Sequence, residues 1–138
     1  MFGALNVSTS ALVAERVRAE AHAANVANTN AIADENGENN PFRRRIPVMA
    51  PGDPSSGSSR GVHIREILID PAAPKLRYMP NHPLAAKEGP NAGYVKFPNI
   101  DSTIEQMNML TASRAYEANI TAAEATKSMM RAALRLLG

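Results

Sequence analysis

The chain has 138 residues and a formal net charge of +2; hydrophobic residues make up 44%, aromatics only 4%, and cysteine and tryptophan are absent. The length fits one domain of ordinary size. The lack of cysteine excludes disulfides, zinc–thiolate sites and thiol catalysis, and the near balance of 15 basic and 13 acidic residues argues against nucleic acid or an anionic membrane surface as partner.

The opening "MFGALNVSTSALVAERVRAEAH" lacks the basic start and continuous apolar run of a secretory signal. No stretch approaches the ~18 apolar residues of a membrane span. The expectation is a soluble chain, or one exported without a cleaved signal.

Proline placement divides the sequence. All ten prolines lie between Pro41 and Pro98, and six of the eight glycines between Gly37 and Gly93. Proline removes a donor and clashes with the preceding turn, so it breaks helix interiors. The chain therefore reads as an N-terminal helix within 1–33, a Pro/Gly-punctuated middle at 34–98 and a C-terminal helix within 99–138. The fold class expected is mainly α with a small β-rich middle segment.

The first helix is expected from near Asn6 to near Asn28. Leu5, Leu12, Ala19 and Val26 recur every seven residues, with Thr9, Arg16 and Ala23 four positions after the first three; this is a thin heptad-like stripe. Asn28-Thr29-Asn30 is a reasonable stop, because such side chains compete for the backbone.

In the middle, Asp53 to Ser59 has the composition of a flexible linker. Candidate strands run from Phe42 to Met49, through Val62, Ile64, Ile67 and Ile69, from Lys75 to Met79 and from Tyr94 to Phe97. Asn81-His82-Pro83 and Glu88 to Asn91 read as turns.

The last helix has a start signal. Ser102-Thr103-Ile104-Glu105 fits a capping box, with Ser102 at the N-cap and Glu105 reaching back. Nothing breaks the helix before Leu137, giving a length of roughly 54 Å. Met109, Tyr116, Ala123, Met130 and Leu137 recur at seven, with Ile120 and Leu134 at the intermediate position. A second stripe passes through Met107, Leu110, Ala118, Ala125, Met129 and Leu136. Two apolar stripes imply burial on more than one side. Much of the remaining apolar content is alanine, which buries little area, so the helices are expected to need partners.

Little in the sequence supports chemistry. His22, His63 and His82 lie in three different elements without ligand spacing, and each reads as an exposed or bundle-edge histidine. No glycine-rich loop opens a helix, and Ser113 has no base beside it. Glu105, Glu117 and Glu124 read as solvated or salt-bridged, and Arg43-Arg44-Arg45 as a solvated strand edge. No catalytic residue, cofactor, metal, nucleic acid or small-molecule substrate is expected.

"SALVAERVRAEAHAANVANTN", residues 10–30, with its Asn25-Val26-Ala27-Asn28-Thr29-Asn30 ending, resembles the N-terminal helix of bacterial flagellar axial proteins, the rod, hook and hook-associated subunits. The stretch from Gly93 to Leu134 is similar to the C-terminal helix of proximal-rod members of that family. Gly93, Tyr94, Val95, Pro98 and Asn99 match the lead-in; Glu105, Met107, Ser113 to Asn119 and Thr126 to Met129 match the helix. Residues 70–85 look like the family's middle. Asp101 stands where asparagine is usual, and the segment around 53–60 has no counterpart.

The resemblance implies a structural subunit of the proximal rod of the flagellar basal body. Such a subunit is exported by the flagellar type III apparatus and helps transmit motor torque to hook and filament. Its terminal helices pack as a coiled-coil-like layer on assembly. Partners would be copies of itself, other rod proteins and the export apparatus, in the periplasmic space. Candidate subunit-interface residues are Asn25, Asn28, Met109, Arg114, Tyr116, Glu117, Asn119, Ile120, Met130 and Leu134. The polar members spread round the helix axis, as a helix surrounded by neighbours requires. Asn25 and Asn28, three apart on one face, are candidates for bonding across to the C-terminal helix. The alternative is a cytoplasmic helical-hairpin adaptor that binds partner helices.

Overall fold

A computed structural model describes residues 2–53 and 57–137. Helix α1 spans Phe2–Ala27 and helix α2 spans Ser102–Leu137. Between them lie four strands: β1 Arg45–Asp53, β2 Ser58–Ile69, β3 Lys75–Tyr78 and β4 Tyr94–Phe97. The strands form two separate antiparallel ribbons, β1 with β2 and β3 with β4. The chain is thus mainly helical with a small β middle.

Helix α1 begins earlier than Asn6 and ends where the sequence stops it. The Asn28 amide Nδ2 donates to the Ala24 carbonyl, and Thr29 Oγ1 donates to those of Asn25 and Val26. These side chains consume the last carbonyls of the helix. At α2 the cap differs from the expectation. Asp101, not Ser102, is the N-cap: its Oδ1 accepts from the backbone N–H of Thr103 at 2.9 Å and of Ile104 at 3.4 Å. A carboxylate there also faces the positive end of the helix dipole. Glu105 does not reach back; it points into the interior.

The two ends of the expected flexible linker at 53–59 lie in the β1–β2 ribbon. Asp53 pairs with Ser58, and Ser59 lies in β2; residues 54–56 lie outside the described residues. Strand β1 starts at Arg45, later than Phe42, and runs past Met49. Strand β2 includes the expected 62–69 run, and β4 has the expected bounds. The turns at 81–83 and 88–91 separate β3 from β4. Asn81 and His82 follow the Met79 carbonyl, which accepts from the His82 N–H at 3.0 Å.

The helices pack together with the end of α1 beside the start of α2, so they form an antiparallel hairpin. The less exposed positions of α2 include Glu105, Met109, Ala112, Tyr116, Asn119, Ala123, Thr126, Met130 and Ala133. Their alternating steps of four and three are those of a coiled-coil seam. Met109, Tyr116, Ala123 and Met130 fall where the sequence put them. Ile120 and Leu134 do not hold the intermediate position. They lie one residue off the seam and are exposed, while Ala112, Asn119, Thr126 and Ala133 occupy it. On α1 the expected Leu5–Leu12–Ala19–Val26 line is only half-buried. The buried line beside it is Ser8, Ala14, Glu15, Ala21, His22 and Asn25. Small and polar residues let the helices approach closely, at the cost of apolar area.

The β1–β2 ribbon leans on α1, with the Val62 N–H donating to Ser10 Oγ at 3.2 Å. Two asparagines serve as substitute strands. Asn25 offers its amide to both backbone groups of Arg45 in β1. Asn39 does the same for Lys96 in β4, accepting from its N–H at 2.8 Å and donating to its carbonyl at 3.1 Å. Among the described residues the buried apolar ones are few: Ala14, Ala21, Val95, Ile100 and Ala112, with Pro41 and Pro98. The weak core expected from composition is what the fold contains.

Candidate functional site: a buried polar cluster and two exposed helix faces

Where the helix hairpin meets the β1–β2 ribbon, the interior is polar. Glu105, in the first turn of α2, is 1% exposed. Its Oε2 accepts from Asn25 Nδ2 at 2.8 Å and lies 2.7 Å from His22 Nδ1. Its Oε1 accepts from Arg44 Nε at 2.7 Å. Arg44 also lies 3.6 Å from Asp70, just after β2. Among the described residues every buried side-chain nitrogen and oxygen has a partner, which is the condition for burying such groups at all.

Burial pushes the Glu105 carboxyl up, but hydrogen bonds from Asn25, His22 and Arg44, with the Arg44 charge, outweigh it and hold the group below the usual carboxylate range. The hydrogen bond to Glu105 raises Arg44 in turn, against the lowering effect of its own burial. Both partners are ionised in the folded chain.

His22 is therefore a buried, bonded residue, not the exposed or bundle-edge histidine expected. Arg44 is a half-buried ion-pair partner, 26% exposed, rather than a freely solvated edge residue. Glu105, expected both as a capping-box member and as a salt-bridged or solvated carboxylate, is salt-bridged and does not cap. The sequence carries one signal of the cluster. Ser8, Glu15 and His22 recur at seven on α1, and Glu105 falls in phase with Ala112 on α2. A polar residue on an apolar stripe's own register needs a partner.

The interface candidates separate into two groups. Asn25 is fully buried and bonds across to α2 within the chain. Asn28 turns back to its own helix. Met109, Tyr116, Asn119 and Met130 are half-buried on the seam, with Asn119 Nδ2 donating to the Ala115 carbonyl one turn back. Arg114, Glu117, Ile120 and Leu134 are exposed. Beside them Met107, Leu110, Met129 and Leu136 also face outward, Leu136 at 89% exposure. The second stripe of α2 is thus uncovered apolar surface.

A further apolar groove of 670 Å³ runs between α1 and β2, lined by Val13, Val17, Val62, Ile64 and Ile67 among others. A cleft of 340 Å³ beside it in sequence lies between the 39–44 segment and the β3–β4 ribbon, with Phe42, Arg43, Leu76 and Lys96 on its walls. The groove also holds Ser10, His63 and Glu66, but Ser10 Oγ donates to the Val7 carbonyl, His63 Nδ1 lies 2.9 Å from the Gly52 carbonyl and Glu66 pairs with Arg65, so no hydroxyl is paired with a base there. Among the described residues no group of three His, Asp or Glu side chains is placed to hold a metal. No described helix is long and apolar enough to cross a membrane.

Residues 91–136 match the family model described as flagellar basal body rod FlgEFG protein C-terminal. Across nearly its whole length the chain is 35% identical to the flagellar basal-body rod protein FlgC of Borreliella burgdorferi, covering 99% of this chain and 97% of that one. It is 36% identical to the protein of the same name from Bacillus subtilis, covering 98% and 97%. With that from Yersinia enterocolitica the identity is 34%, over 95% and 93%.

Proposed function

This chain belongs to the FlgC family of flagellar basal-body rod proteins; it is a structural subunit of the rod, not an enzyme, and we propose that it builds the proximal segment of the drive shaft. It assembles with other flagellar components. The finer reading is that it meets copies of itself and neighbouring rod proteins through its terminal helices. It reaches the rod through the flagellar export apparatus without a cleaved signal and sits in the periplasmic space. Residues 1–33 and 99–138 are the assembling parts, and 34–98 rides on them.

The observation that carries this is identity of about a third over nearly the full length of the rod proteins named above. The shape of the surface supports it. Helix α2 is 36 residues long, roughly 54 Å, and α1 has 26, roughly 39 Å. The longer helix therefore outreaches the shorter one, and its exposed Met129, Leu134 and Leu136 have no intramolecular cover. Repeated head-to-tail contacts with a helical operator give an open tube rather than a closed ring.

The test is genetic and structural. A strain without this chain should be non-motile and should yield basal bodies that lack a completed rod; restoring the chain should restore both, with the chain present in isolated basal bodies. Normal motility without it, or retention in the cytoplasm bound to other helical proteins, would instead favour the adaptor reading.

A further inference from the structure

The largest fully buried side chain among the described residues is a carboxylate, Glu105. Three parts of the fold meet at it. Helix α1 contributes His22 and Asn25, the approach to β1 contributes Arg44, and the end of β2 contributes Asp70 behind Arg44. Along the helices the nearest other charges are Arg18, paired with Glu15 four residues before His22, and Asp101, four before Glu105. Among the described residues the buried apolar side chains other than Val95, Ile100, Pro41 and Pro98 are alanines, so little hydrophobic area competes with this cluster for control of the junction.

We propose that the cluster is an acid-sensitive clasp: ionised Glu105 holds the start of α2 to α1 and to the base of the β1–β2 ribbon, and its protonation releases that junction.

The geometry gives the reason. Both Glu105 oxygens are filled by donors, Asn25 Nδ2 and His22 Nδ1 on one and Arg44 Nε on the other. A neutral acid carries a proton on one oxygen, which then faces a donor instead of accepting from it. The Arg44 charge is left with only Asp70, at 3.6 Å. Asn25 and His22 are buried, and a buried donor without its partner is destabilising out of proportion to the bond lost. Asn25 transmits the release. The same amide that donates to Glu105 also holds the backbone of Arg45, so loosening it frees the first residue of β1. The sign follows from the Glu105 carboxyl lying below its ordinary range. The stabilisation is complete above about pH 4.3, the ordinary glutamate value, and is lost as pH falls through the lower folded value.

The reporter is the Arg45 amide, whose hydrogen-exchange protection is measured from about pH 3 to about pH 7 and corrected for intrinsic rate. In Glu105→Gln, which carries a permanently neutral group of the same shape, Arg45 protection at neutral pH should be about tenfold lower than in the wild type, the scale of one lost charged hydrogen bond. As pH falls, wild-type protection should descend to meet that of the variant. A gap that stays constant across the range, or no gap at neutral pH, would overturn the clasp. If Glu105→Gln does not fold, the wild type alone decides. The Glu105 carboxyl resonance and Arg45 protection should change with one midpoint, and Arg45 protection that survives Glu105 protonation defeats the proposal.

Discussion

The side-chain amide of Asn25 grips the backbone of Arg45 in both directions: Oδ1 accepts from its N–H and Nδ2 donates to its carbonyl, each at 2.8 Å. Nδ2 donates to Glu105 as well, so one fully buried side chain ties α1 to β1 and to α2. Asn25→Ala would leave the Arg45 groups and one Glu105 lone pair without partners. Each orphaned buried group costs about 1–3 kcal/mol, so the variant should lose about 3 kcal/mol or more in urea unfolding. Asn25→Asp should not rescue it, because a second carboxylate would then face Glu105.

Asp101 caps α2 through the N–H groups of Thr103 and Ile104. Asp101→Ala should lower stability by about 1 kcal/mol, read as a lower thermal midpoint. Ser102→Ala should change it much less, since the Ser102 hydroxyl meets only Gln106 Nε2, at 3.3 Å on the surface. Equal effects from the two substitutions would return the cap to Ser102.

Gly93 precedes β4 with φ of 82°, and a Cβ there would stand 2.7 Å from the Tyr78 ring. Gly93→Ala therefore meets both backbone strain and a clash and should cost about 2 kcal/mol or more. Gly37, with φ of 77° but open space around it, supplies the control. Gly37→Ala should show only the backbone part, about 1 kcal/mol. Chemical denaturation of both variants separates the two contributions.

Leu134 is 70% exposed on α2. Leu134→Glu should leave the stability of the free chain within about 0.5 kcal/mol, as surface changes usually do, yet abolish rod assembly and motility. Asn119→Ala should act in the same direction, because its amide meets only the Ala115 carbonyl of its own helix. Unimpaired swimming in both variants would remove these positions from the assembly face.

The helices, the strand positions and the turns were legible because proline placement and apolar runs are local signals. The seam between the helices was legible only in part. Met109, Tyr116, Ala123 and Met130 announced themselves by size, but Ala112, Asn119, Thr126 and Ala133 have no hydrophobic signature. Ile120 and Leu134 fit the seam by apolarity alone, and they face outward. The polar cluster was hidden for a different reason. His22, Arg44 and Glu105 are far apart in sequence, and each is an unremarkable residue until the fold joins them. Their burial is a tertiary fact that no propensity records. The exposed stripe of α2 was visible as an excess of apolar residues, which a single hairpin partner could not cover.

Outward positions of β1 alternate from Arg45 through Pro47 and Met49 to Pro51; Asn25 occupies the first, and the two prolines present no N–H. Asn39 occupies Lys96 in β4. These ribbon borders are therefore kept from templating β pairing with another chain, and the uncovered apolar stripe of α2 is left as the surface open to a neighbour.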